Sequence, residues 1–112
     1  MENTKPSHAV ANFKPRRSAL LVTIRRIATD SAAVAFSSHA LERMDERGIT
    51  TLDVLRSLRT GEIVGEIEAG KSVGEWKCKI VERRRRAREI GVATLVIKEN
   101  KLLVKTAEWE DL

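Results

Sequence analysis

Residues 37–61 read SSHALERMDERGITTLDVLRSLRTG, and their punctuation decides the fold. The first helix is expected to start at Ser38 and end near Arg47. Gly48 supplies the left-handed residue that commonly closes a helix. Thr50 and Asp53 then have the spacing of a capping box, with Asp in the position usually held by Glu. A second helix follows, with Leu52, Leu55 and Leu58 as its expected buried face and Gly61 as its stop. In the first helix Leu41 and Met44 are expected to face the core. His39, Arg43 and Arg47 recur every fourth residue, which lines them up on a stripe about 80° wide.

Outward from this pair the pattern changes. Residues 18–29, SALLVTIRRIAT, predict a helix, with Ser18 as cap and Leu20, Ile24 and Ile27 on one side. The β-branched Val22, Thr23 and Ile24 make a strand the competing reading. AVAF at 33–36 reads as a short extended piece. Beyond Gly61 the period falls to two, and Ile63 and Ile67 share a side. Gly70 and Gly74 bracket a turn. EWKCKIV at 75–81 is the clearest strand, with Trp76, Cys78 and Ile80 on one face and Lys77 and Lys79 on the other. Strands over 91–98 and 101–107 flank a tight turn at Glu99-Asn100. Helices followed by antiparallel strands define an α+β domain, with N-terminal helices packed on one face of a three- to four-stranded antiparallel sheet. The expected organisation is a flexible N-terminal arm over 1–17, which contains Pro6 and Pro15, and a single domain over 18–112.

Composition narrows the function. The 112 residues suit one domain, and 42% hydrophobic content suits one modest core. Only 4% are aromatic and none is Tyr, which argues against a single-strand binder built on stacking rings. The net charge of +5 points to a polyanion or an acidic partner. It is unevenly spread: +4 over residues 1–30, −3 over 31–70 and +4 over 71–112. Cys78 is the single cysteine, so an internal disulfide is excluded, and a buried inert thiol is the expected state. No His/Cys pattern, acidic cluster or Gly-rich phosphate loop predicts a metal or cofactor. No apolar run reaches the roughly 18 residues of a membrane span, and no signal-peptide region precedes Pro15. A cytoplasmic protein is expected.

HAxxRMxxRGI, formed by His39-Ala40, Arg43-Met44 and Arg47-Gly48-Ile49 and followed by Asp53-Val54, resembles the opening of a small prokaryotic domain family of uncharacterised function. That family is similar in turn to the RelE-like toxins of toxin–antitoxin modules, particularly the BrnT and MqsR branches. GVATLVIKENKLLVKTAEW, residues 91–109, resembles the closing hairpin of that fold. The resemblance covers residues 18–109. It implies a metal-independent endoribonuclease that acts on messenger RNA, free or on the ribosome, and is held in check by a cognate antitoxin. In such enzymes a base takes the proton of a 2′-hydroxyl, and basic groups stabilise the charge that develops on phosphate. Lys77 falls where MqsR-like toxins carry a polar catalytic residue. Their tyrosine on the next strand has no counterpart; Thr94 stands there. The region of their C-terminal basic residue holds Ala107-Glu108.

The candidate catalytic residues are therefore His39, Arg43, Lys77 and Lys79. Against this, the helix stripe also reads as a surface on which Arg43 and Arg47 pair with Glu42, Asp45 or Glu46, and Lys77 and Lys79 as solvated lysines. Arg83, Arg84, Arg85, Arg86 and Arg88 form the densest charge and are the expected nucleic-acid grip. Trp76 and Trp109 read as packing residues. Two other classes fit the same residues: a basic module that binds RNA or a ribosome without cutting, and an interaction subunit for an acidic protein.

Overall fold

The computed structural model describes residues 13–83, 88–98 and 100–110. Most of the expected arm, together with Arg84, Arg85, Arg86 and Glu99, lies outside the described residues. The order is α1 (Arg17–Ala28), a 3-10 turn (Ser31–Ala33), β1 (Val34–Phe36), α2 (Ser38–Arg47), α3 (Thr51–Thr60), β2 (Glu62–Ala69), β3 (Glu75–Glu82), β4 (Ile90–Ile97) and β5 (Lys101–Trp109). The domain is α+β, as the sequence implies.

The helix punctuation works as written. The Ser37 hydroxyl accepts from the Ala40 amide at the start of α2, and Gly48 closes that helix at φ +69°. Thr50 and Asp53 form the full capping box of α3: each side chain accepts from the other's backbone amide, at 3.0 and 3.1 Å. These contacts satisfy amides that have no partner within the helix. Ser18 does not cap α1. The helix begins one residue earlier, and Arg16 holds the cap position without a side-chain bond.

The sheet corrects the sequence expectation. It has five strands in the order β1-β5-β4-β3-β2, and it is mixed rather than purely antiparallel. The added strand is β1, which runs parallel to β5 and pairs Val34 with Leu102. Three residues are too few to display a period, so the sequence marks this piece as extended but not as part of the sheet.

Alternation along β2–β5 sends Ile63, Ile67, Cys78, Ile80, Val92, Val96, Leu102 and Val104 into one core cluster. Leu20, Ile24 and Ile27 of α1, Ala40 and Met44 of α2, and Val54, Leu55 and Leu58 of α3 join it. Leu41 and Leu52, expected inside, are 48% and 71% exposed. Leu52, Leu55 and Leu58 are spaced by three, which falls 60° short of a full turn at each step, so the row spirals off the buried side. Val54 fills the core position instead. Leu41 stands 100° around from Ala40, outside the stripe set by Ala40 and Met44.

α1 also guards an edge. β2 is an outer strand, and its bulge between Val64 and Glu68 is marked by Gly65 at φ +74°. Arg25 donates to the Gly61 carbonyl at 2.7 Å, and Arg17 donates to those of Ile63 and Gly65 at 3.0 and 2.8 Å. Alternate carbonyls that would otherwise invite another strand are thus occupied by guanidinium groups.

Candidate functional site

The sheet face opposite the core cluster is built by the residues that alternate with it. On β3 these are Lys77 and Lys79; on β4, Ala93 and Leu95, paired respectively with Lys79 and Lys77. Thr94 pairs with Cys78 and is buried on the core side, so it takes no part in this face. β5 contributes through a bulge, since Ala93 pairs with Thr106 and Thr94 with Val104. The extra residue resets the alternation, so Lys105 and Thr106 both lie between the core residues Val104 and Ala107.

The result is a groove of about 410 Å³ lined by Val64, Glu68, Lys77, Lys79, Ala93 and Lys105 among others. A second hollow of about 270 Å³ adjoins it, shares Lys77 and Lys105, and adds Lys71 and Leu95. The floor is largely apolar and the rim carries lysine. Lys77 faces Glu68 at 3.6 Å, and both side chains are well exposed, so the pair contributes little. Among the described residues Lys105 carries no ion pair.

Lys79 is held differently. Its ammonium lies 2.7 Å from Glu110 and 3.2 Å from Glu108. The hydrogen bond that Lys79 donates to Glu110 is the main cause that raises its pKa above the ordinary lysine value; burial opposes it, and Glu108 reinforces it. Two carboxylates thus favour the charged form of Lys79 and fix where its ammonium sits. Gly91 on β4 makes the contact feasible, because a Cβ there would come within 2.6 Å of Lys79 Cε and against the Glu110 carboxylate. Beside this ion pair is a cavity of about 360 Å³ lined by Arg47, Lys79, Glu108, Trp109 and Glu110. Its wall is tied together: Arg47 donates to the Ala107 carbonyl at 2.7 Å, and the Trp109 indole donates to the Arg47 carbonyl at 2.8 Å. The Arg88 guanidinium stacks 4.3 Å from the centre of the Trp109 ring.

Lys77 and Lys79 thus lie in one groove, while the helix stripe is split. His39 is exposed and lines neither the groove nor the cavity. Arg43 binds Glu46 at 2.7 Å, the surface pairing that the sequence allows. Arg47 is drawn to β5. Arg83 and Arg88 stand at the two described ends of the β3–β4 connection, and Arg83 is 3.4 Å from Glu89. Cys78 is buried, and desolvation pushes its thiol up to about 11, as expected for an inert core cysteine. Among the described residues no His, Cys, Asp or Glu cluster suits a metal, and no helix is long and apolar enough to cross a membrane. Sequence reasoning missed Lys105, Glu110 and the role of Glu108. The Val104–Ala107 spacing of three carries a bulge signal for Lys105; nothing local signals Glu110.

This is a small α+β domain with a lysine-rimmed groove on the sheet face away from its core. Residues 36–109 match the model of a family described as a domain of unknown function (DUF4258), and the chain belongs to that family. The match spans β1's last residue to the end of β5, so α1 and its guanidinium clasp precede it. No curated protein and no solved structure matches the chain.

Proposed function

We propose that this domain is an RNA-directed effector of the RelE-like kind: the toxin component of a toxin–antitoxin module, acting as a metal-independent endoribonuclease and restrained by a separate antitoxin protein. The observation that carries the reading is the groove. Lys77, Lys79 and Lys105 converge over a partly apolar floor, on a sheet face that the core cluster leaves uncovered. Lysines lining one groove suit the phosphates of a bound strand, and Ala93, Leu95 and Val64 give ribose and base an apolar surface. Arg83 and Arg88, at the two described ends of the β3–β4 connection, add basic side chains at one end of the sheet. The HAxxRMxxRGI resemblance to RelE-like toxins supports the same reading.

A second reading, RNA binding without cleavage, is favoured by one observation. The histidine expected to act as base lines neither hollow, and Arg43 is paired with Glu46. The test is to incubate the purified protein with single-stranded RNA in EDTA, measuring retention and cleavage together. The toxin reading expects salt-sensitive binding with cleavage; binding alone leaves the second reading. Absence of RNA binding at low salt contradicts both.

A further inference from the structure

We infer that the cavity bounded by Arg47, Lys79, Glu108, Trp109 and Glu110 is a catalytic site for cleavage of an RNA phosphodiester beside its 2′-hydroxyl, with Glu108 as the base. The inference builds on the RNA reading above and gives it a chemistry that does not use His39. Four ionisable side chains converge on this hollow, and Lys79 belongs to both it and the groove. A strand lying along the groove therefore reaches the cavity at Lys79.

The two carboxylates are not equivalent. Glu110 makes the shorter contact to Lys79, 2.7 Å, and its side chain is 21% exposed. Its backbone amide is anchored to the Glu89 carbonyl at 2.8 Å, and its carboxylate lies over Gly91. It is built to hold the lysine. Glu108 sits farther away, at 3.2 Å, with its side chain 47% exposed. Its second oxygen is available to a ligand. Glu110 is accordingly a positioning residue, and Glu108 is the group that reaches substrate.

The step follows from these positions. The Glu108 carboxylate takes the proton of the 2′-hydroxyl, and O2′ forms a bond to the adjacent phosphorus. The Lys79 ammonium donates a hydrogen bond to a non-bridging oxygen, where negative charge accumulates. The bond from phosphorus to O5′ breaks, and O5′ takes a proton from water. Glu108 gives its proton back to solvent, so the balance closes. The products are a 2′,3′-cyclic phosphate and a 5′-hydroxyl. No oxidant or reductant takes part. The charged groups that line the cavity are Arg47 from α2, Lys79 from β3, Glu108 from β5 and Glu110 just after it; Arg88 stands behind the Trp109 ring.

The experiment uses the full chain and an end-labelled RNA oligonucleotide in EDTA, with a 2′-O-methyl version as control. Wild type is expected to cut the first to cyclic-phosphate ends and to bind but not cut the second. Glu108→Gln is expected to lose about 100-fold or more in cleavage rate, the usual contribution of a positioned base, with RNA affinity retained. Glu110→Gln is expected to lower the cleavage rate, though by less than Glu108→Gln does, and to move the alkaline limb of the rate profile to lower pH, a change that a merely structural role would not produce. Equal cutting by wild type and Glu108→Gln overturns the assignment of the site and leaves the RNA reading standing. RNA binding without cleavage by the wild type overturns it too, and leaves the binding reading. Absence of RNA binding by the wild type removes the underlying reading itself.

Discussion

Replacing Lys77 and Lys105 together with Ala removes the two groove cations whose charge is least committed. Lys77 meets only a solvated carboxylate at 3.6 Å, and Lys105 has no ion pair among the described residues. Lys79, neutralised by two carboxylates, stays in place in this variant. Each phosphate neutralised on a single strand contributes about −0.7 to the slope of log affinity against log salt, so losing two contacts flattens the slope by about 1.4. Between about 50 and 200 mM salt, a fourfold rise, the variant should lose about 7-fold less affinity than the wild type. Fluorescence anisotropy of a labelled single-stranded RNA over a salt series measures this directly. Arg43→Ala, which removes an arginine paired on α2, is the control and should leave the slope unchanged. A double variant whose salt line runs parallel to the wild type's would refute the groove as the phosphate path, whatever the absolute affinities.

Other outcomes test the frame around the groove. Gly61→Ala pushes a Cβ to within 2.6 Å of the Ser57 carbonyl oxygen and 2.9 Å of that of Val81, both backbone atoms; urea unfolding should show a loss of about 1–3 kcal/mol. Thr50→Ala breaks the capping box and should cost about 0.5–2 kcal/mol by the same measurement. Asp53 is held below the ordinary carboxylate value, chiefly by the Thr50 amide. Its contribution is therefore complete above the unfolded value of 3.8 and lost as pH falls through the folded one, so Asp53→Asn should narrow its gap to wild type in acid unfolding. Cys78, with its thiol pushed up to about 11, should resist a thiol reagent at pH 8 in the native state and react at once in denaturant.

The sequence spoke most clearly where a signal is local. Gly48, Thr50 and Asp53 announce the boundary between two helices because caps act within four residues. The alternation of Trp76, Lys77, Cys78 and Lys79 assigns both faces of β3 because a strand has one period. Contacts made across strands stayed silent. β1 takes its identity from β5, more than sixty residues later in the chain. Lys105 reaches the groove only because a bulge lets two β5 residues face one on β4. Glu110 reaches Lys79 only because Gly91, on the strand between them, has no side chain. The His39–Arg43–Arg47 stripe shows the opposite failure. Its helical spacing is real, yet β5 claims Arg47 and Glu46 claims Arg43.

The measurement that bears most directly on the central claim is an amide chemical-shift titration of the protein with a short single-stranded RNA carrying 2′-O-methyl groups. RNA lying along the sheet face opposite the core should shift Val64, Lys77, Lys79, Ala93, Leu95, Lys105 and Glu108, and leave the α1 residues Val22 and Arg26 in place. Shifts confined to α1 or to the exposed surface of α2, with the groove residues unmoved, would contradict it.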